Sequence, residues 1–270
     1  SKTWGEHVAA LRKVLERLQA AGLTAKPSKC HFANTECTYL GHVVGNGQVR
    51  PENSKVAAVE DFPTPRTKKE VRTFLGLTGY YRKFVADYAT IAAPLTELTK
   101  KIGPNQVRWT DRCELAFQQL KKHLCTQPVL QCPDFDRPFV LQTDASDWGV
   151  GGVLSQMDED GQDHPIAYFS RKLLPRERKY ATVEKECLAI KLAIHAFRVY
   201  LLGRPFSVMT DHHALEWLDK LKTDNARLTR WSLHLQPYQF KVIYRAGECN
   251  KNADALSRQT SLPLEKVEEV

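Results

Sequence analysis

FVLQTDASDWGVGGVLSQ, residues 139–156, decides how the second half of this chain is read. An apolar, β-branched run ends at Asp144, a polar turn occupies Ser146–Gly149, and a second strand-like run follows. The pattern predicts strands over 138–144 and 149–156. Asp147 falls inside the turn, where Asp is a common turn residue. Asp144, at a strand end, is the better candidate for chemistry.

Outward from this hairpin, a turn at Asp158–Gly161 precedes a third strand over 165–170. Next come a helix over about 182–201, a strand over 205–210 and shorter helices around 213–220 and 226–235. A strand over 239–245 and a terminal helix over 252–258 close the order. Three strands joined by short turns, then a strand after a helical crossover, imply an α/β fold. Its sheet is mixed and five-stranded, with flanking helices.

Three further acids fit this frame. FSVMT runs into Asp211 as FVLQT runs into Asp144. If those strands are parallel neighbours, both carboxylates leave one edge of the sheet, where such folds place their sites. On the long helix, Val183, Cys187, Ile190, Ile194, Phe197 and Leu201 form the sheet-facing stripe. Glu186 borders it, whereas Glu184 lies about 200° away at 100° per residue and is expected to be solvated. Asp254 opens the terminal helix. Carboxylates gathered from separate elements repel one another, and binding divalent metal is the usual reason to gather them. Two such cations clamp the attacking and leaving oxygens in phosphodiester cleavage.

Each acid also has a plainer reading. Asp254 at a helix start gains about 0.3–1 kcal/mol from the helix dipole, and Asp211 could cap the following helix. His212 and His213 suit a loop, since an oxygen-only magnesium site does not need them. Cys30, His31, Cys37 and His42 crowd one stretch, but their spacing matches no zinc pattern, and half-buried strand cysteines are the expectation.

Composition frames the rest. Hydrophobic content of 42% and charged content of 26% are ordinary for a globular protein, and 270 residues suit about two domains. Residues 1–126 hold 20 Lys/Arg against 11 Asp/Glu, whereas 127–270 hold 19 against 20. A basic half beside an acid-clustered half suits a polyanion grip next to a cation-dependent site. Seven scattered cysteines, no signal peptide and no long apolar span point to an intracellular location, with no membrane partner. The initial Ser suggests excision from a longer polypeptide.

In the basic half, Trp4, Val8, Leu11, Val14, Leu15 and Leu18 predict a helix ended by Gly22. Strands are expected around Cys30–Phe32 and Cys37–Val44, closed by the Gly45–Gly47 turn. Helices follow over 54–61, over Lys68–Tyr88 with Thr67 and Glu70 as a capping box, and over about 110–124. The 127–133 stretch reads as a linker and entry strand. Arg72, Gly76, Tyr80 and Lys83 share one face of the helix from Thr67. A small residue between a cation and an aromatic permits close approach to a sugar–phosphate backbone. Equally, Tyr80 could pack in a core with Phe74, Leu75 and Leu77.

In this order stand YLGHVV (39–44), FLGLTGYYRKF (74–84), PLTELTKK (94–101), AFQQLKKHL (116–124), PVLQCPDF (128–135), TDASDWGVGGVLSQ (143–156), PIAYFSRKL (165–173), EKECLAI (184–190), TDHHAL (210–215) and ADALSR (253–258). Together they resemble the C-terminal part of a Ty3/gypsy-type LTR retrotransposon reverse transcriptase. The resemblance implies that residues 1–50 end the palm with its primer grip, 51–100 form the thumb and 101–130 a connection. Residues 131–258 would then be a ribonuclease H domain and 259–270 a tail.

It also implies a ribonuclease H-like fold preceded by a smaller α+β region. Asp144, Glu186, Asp211 and Asp254 become ligands of two Mg2+ ions, for which Mn2+ can substitute. Asp144 and Asp211 would bridge or flank the metals, Glu186 would lie near the 2′-hydroxyl, and Asp254 would hold the water-activating metal. Tyr39, Leu40, Gly41 and His42 look like primer grip, although alternation would also bury Leu40 as core. Arg72, Gly76, Tyr80 and Lys83 look like the thumb's track along the template–primer.

The implied activity is cleavage of the RNA strand of an RNA–DNA hybrid, leaving 5′-phosphate and 3′-hydroxyl ends. The cellular setting would be a cytoplasmic particle or the nucleus. No Asp-Asp pair occurs in the 270 residues, so the polymerase carboxylates are expected on missing fingers and palm of the same polyprotein. The 218–230 connection is too short for the basic protrusion of many cellular ribonucleases H, and 245–250 lacks their mobile histidine. The D-E-D-D order differs from the D-D-E of integrases. A non-catalytic nucleic-acid-binding or interaction module, from a domesticated or truncated retroelement, is the alternative.

Overall fold

The computed structural model describes residues 3–101, 104–126, 129–211 and 225–244. The chain divides into two compact units, Ser1–Cys37 and Thr38–Val270.

In the first unit, α1 (Trp4–Ala20) forms as its periodicity predicts. The Thr3 hydroxyl accepts from the Glu6 N–H at 3.2 Å. The exit uses Gly22 at φ +67, and the Leu23 N–H returns to the Leu18 carbonyl at 2.9 Å. The strand expected at Cys30–Phe32 is absent. Pro27, with fixed φ and no N–H, starts a 3-10 turn over Pro27–Lys29 instead.

Strand β1 (Glu36–Tyr39) crosses the boundary between the units. The strand expected over 37–44 breaks at Leu40 (φ +47) and Gly41 (φ +71) and resumes as β2 (His42–Gly45). Asn46 (φ +51) and Gly47 (φ +72) then turn the chain into β3 (Gln48–Pro51), antiparallel to β2. Two left-handed residues of this kind make the tight turn whose twist matches paired strands. The Asn-Gly turn therefore joins β2 to a strand the alternation did not reveal. β3 in turn pairs with β4 (Leu130–Gln131).

The helical layer comprises α2 (Asn53–Glu60), α3 (Lys68–Tyr80), α4 (Tyr88–Ile91), α5 (Ala93–Leu98) and α6 (Asp111–Cys125). The capping box at α3 is present: the Glu70 N–H donates to the Thr67 hydroxyl at 3.2 Å, and the Thr67 N–H to the Glu70 carboxylate at 3.3 Å. Helix α3 stops at Tyr80 rather than Tyr88. Gly76 and Gly79 weaken it, a 3-10 turn occupies Arg82–Phe84, and Asp87 at φ +51 redirects the chain. Val71, Phe74, Tyr81, Phe84, Leu95, Phe117 and Leu120 fill this core. Each large apolar side chain there contributes about 1.5–3 kcal/mol by burial.

The second sheet is the predicted mixed, five-stranded one. Its strands are β5 (Phe139–Ala145), β6 (Gly149–Met157), β7 (Asp163–Lys172), β8 (Pro205–Thr210) and β9 (Gln239–Tyr244), in the order β7-β6-β5-β8-β9. β5 and β8 are parallel, as are β8 and β9. The crossover helix is split at Phe197 into α7 (Thr182–Ala196) and α8 (Arg198–Leu201). It packs Cys187, Ile190, Ala193 and Ile194 on one face of the sheet, above Phe139, Leu141 and Leu154, with α9 (Ala226–Leu235) beside it. Gly152 permits a close approach, since a Cβ there would lie 3.1 Å from the Ala193 Cβ. The helices expected over 213–220 and 252–258 lie outside the described residues.

Candidate metal centre

The parallel pairing of β5 with β8 sets Gln142 beside Met209. Asp144 and Asp211 each follow two residues later, so both leave the sheet at the C-terminal ends of adjacent strands. Glu186, in the first half of α7, reaches the same point. Ligand oxygens of Asp144, Glu186 and Asp211 all lie within 4.8 Å of one another. Among the described residues this is the only group of three or more His, Cys, Asp or Glu side chains so placed. Cys30, His31, Cys37 and His42 form no such group. Asp254 lies outside the described residues, as do His212 and His213.

The electrostatics are unfavourable without a cation. Glu186 is 4% exposed and Asp144 7%, while Asp211 is half-buried. One Glu186 oxygen accepts the Ala145 N–H at 3.2 Å, whereas Oε2 is buried with no hydrogen-bond partner among the described residues. Burial, and then the charges of Asp144 and Asp211, push the Glu186 carboxyl up to about 9. A buried carboxylate oxygen without a donor, facing two more carboxylates, fits a hard divalent cation.

Residues 134–238 match the RNase H-like domain found in reverse transcriptase. Over 253 residues the chain is 45% identical to the Pol polyprotein from transposon 297 of Drosophila melanogaster, covering 94% of this chain and 23% of that one. It is 40% identical to that of transposon opus over 268 residues, covering 96% and 27%. The Tf2-3 polyprotein of Schizosaccharomyces pombe is 36% identical over 262 residues, covering 96% and 20%. The chain thus carries an RNase H-like domain of the kind found in reverse transcriptase, and its homologues are Pol polyproteins of Ty3/gypsy-type retrotransposons. It spans about a quarter of the length of these relatives. A foamy viral protease–reverse transcriptase solved with an RNA/DNA hybrid shares its fold, with TM-score 0.76 and 24% identity over 100% of this chain and 36% of that one. The same enzyme with dsDNA gives 0.73 and 25% over 92% and 52%.

Elsewhere around this sheet, two further acids have partners of their own. Asp147 sits in the turn, as expected, and pairs with Lys185 at 2.6 Å. Glu184 is not solvated. It is 9% exposed, accepts from Arg227 Nη1 at 3.0 Å and from Asn225 at 3.1 Å, and binds the Ala181 N–H at the helix start. Helix phase alone missed this, because it does not reveal that α9 packs beside α7 and brings Asn225 and Arg227 to Glu184.

The residues expected to line nucleic acid divide into two groups. Tyr39 and Leu40 are exposed at 67% and 68%, so Leu40 is not core. Tyr80, 53% exposed, is not core either; its hydroxyl donates to the Leu40 carbonyl at 2.6 Å. The Tyr81 hydroxyl donates to the Gly41 carbonyl at 2.8 Å, and a Cβ at Gly41 would come within 3.0 Å of it. His42 is enclosed by Tyr80, Tyr81 and Phe84, and burial lowers its pKa. Arg72 is exposed and donates to the Thr99 carbonyl at 3.0 Å, and the space around Gly76 is open. Lys83 does not share their helical face, because α3 ends before it; its ammonium lies 5.1 Å from the Phe84 ring centre.

Proposed function

We propose that this segment is the ribonuclease H part of a retrotransposon reverse transcriptase, an endoribonuclease cutting the RNA strand of RNA–DNA hybrids. The observation that carries the reading is the convergence of Asp144, Glu186 and Asp211 around the buried Glu186 Oε2. The relative solved with an RNA/DNA hybrid supports the substrate class. Asp144, Glu186, Asp211 and Asp254 would hold two Mg2+ or Mn2+ ions. When bound, such ions neutralise charge on a phosphodiester and lower the pKa of water. The chain's own part is to present ionised oxygens in fixed positions. The Ala145 N–H orients Glu186, and the parallel strands fix Asp144 and Asp211. The 2′-hydroxyl is the feature by which such a site selects RNA.

On this reading residues 1–50 close the palm, 51–100 are the thumb, 101–130 the connection and 131–258 the nuclease, with fingers and palm supplied by the same polyprotein. Tyr39, Gly41, Arg72, Gly76 and Tyr80 would face the template–primer, and His42 and Lys83 would support them. The test is an RNA–DNA hybrid labelled on each strand in turn, incubated with the chain in Mg2+ or in chelator. Metal-dependent loss of the RNA strand alone is expected. A salt-sensitive gel shift without cutting would instead identify a nucleic-acid-binding module.

A further inference from the structure

The face of the nuclease sheet opposite α7 brings another carboxylate towards the metal centre. Asp144 stands opposite Gly151 in β6, and Gly151 opposite Ser170 in β7. Directly opposed residues of antiparallel strands share a face. Asp144, Gly151 and Ser170 therefore form one row, and Gly151 leaves its middle without a side chain. The neighbouring Val150 points the other way, into the cluster containing Leu188 and Ala189 of α7.

The chain between α3 and α5 lies on this row. Arg82 Nη2 donates to the Ser170 carbonyl at 2.5 Å, and the Ala89 N–H to the Ser170 hydroxyl at 2.8 Å. A Cβ at Gly149 would sit 3.5 Å from the Thr90 hydroxyl. Asp87 lies between these anchors, half-buried, at φ +51 and hydrogen-bonded to Thr90. Burial pushes its carboxyl up to about 7, the Thr90 hydrogen bond opposes this, and the charge of Asp144 adds to it. The Thr90 bond thus holds the Asp87 carboxyl against the Gly149 end of β6, on the face that Gly151 shares with Asp144, although Asp87 and Asp144 are far apart in sequence. Nothing in the pattern around Asp87 signalled this, because the predicted helix ran straight through it.

We propose that Asp87, supplied by the segment preceding the nuclease sheet, is a positioning residue of the metal centre. Its charge joins the field that draws divalent cations to Asp144, Glu186 and Asp211. The inference rests on the metal-dependent reading above. It makes the cation affinity of the site depend on a residue outside 131–258.

The test is Mn2+ binding to the full chain without nucleic acid, read from the paramagnetic resonance signal of free Mn2+. Asp87→Asn and Asp87→Gly suit it, since both residues tolerate the left-handed backbone. Both should raise the Mn2+ dissociation constant by about three- to tenfold, as expected for removing one partly screened charge near a dication. The thermal midpoint without metal should not fall with Asp87→Asn. Glu186→Gln should abolish tight binding. Wild-type affinity in both Asp87 variants, with Glu186→Gln still defective, would overturn this inference alone. Equal binding by wild type and Glu186→Gln would overturn the metal-centre reading, and this inference with it.

Discussion

The Tyr80 hydroxyl donates to the Leu40 carbonyl oxygen at 2.6 Å, tying the end of α3 to a turn in which Leu40 and Gly41 both have positive φ. Tyr81 makes the matching bond to Gly41, and the Gly41 carbonyl also accepts the Glu52 N–H at 3.0 Å. The turn is thus held by side chains from a distant helix, with Tyr39 and Leu40 left outward.

Removing both hydroxyls should loosen this turn without unfolding the core. Tyr80→Phe with Tyr81→Phe should cost about 1–3 kcal/mol in denaturant unfolding, at about 0.5–1.5 kcal/mol per hydrogen bond. Hydrogen exchange at Gly41 and His42 should accelerate while Phe74 amide protection holds. Unchanged exchange would show that the bonds do not hold the turn.

The pH dependence of the metal-free protein should run opposite to that of a salt-bridged acid. The folded pKa of Glu186 lies above its ordinary 4.5, at about 9. Folding therefore takes up a proton, and the stability this group contributes is full below about 4.5 and lost as pH rises towards 9. In chelator the melting midpoint should fall across that window. Glu186→Gln should flatten the fall, and Mg2+ should oppose it, because the cation replaces the proton. A midpoint that rises over this range in wild type and Glu186→Gln alike would contradict the placement of Glu186.

Arg227 should matter through Glu184. Its guanidinium also stacks on the Tyr180 ring at 4.0 Å. Arg227→Ala leaves a buried carboxylate with only Asn225 and a backbone N–H, and should destabilise by about 1–2 kcal/mol after discounting the exposed side of the pair. Arg227→Lys should recover only part, since it loses the planar stacking. Thermal or denaturant unfolding reads both.

Gly152 is fixed by packing rather than by backbone conformation. Gly152→Val would press on Ala193 and the Thr143 methyl, 3.1 Å and 3.7 Å from an added Cβ. A loss of about 1–3 kcal/mol is expected, as for overpacked cores. Glycine-like stability in the variant would mean that α7 shifts freely on the sheet.

The second half of the chain was legible because its signals are local and periodic. FVLQT and FSVMT end at the acids, and helix phase set Glu186 beside the stripe. Parallel pairing of β5 with β8 then brought the three carboxylates together. What the pattern missed was tertiary. Glu184 looked solvated because nothing local reveals α9 lying over it. The end of α3 was overrun because the residues after Tyr80 are apolar at spacings that also suit a helix. Strand β3 and the left-handed Leu40-Gly41 step depend on partners far along the chain, Leu130 and Tyr81 among them. Asp87 became visible only when the sheet's open face was seen to be covered.

The most direct test of the central claim is cleavage of a strand-labelled RNA–DNA hybrid by wild type, Asp144→Asn and Glu186→Gln in Mg2+, with folding checked by circular dichroism. Wild type should cut the RNA strand, and each variant should be folded and inactive. Undiminished cutting by both variants would contradict the assignment of these carboxylates to the catalytic centre.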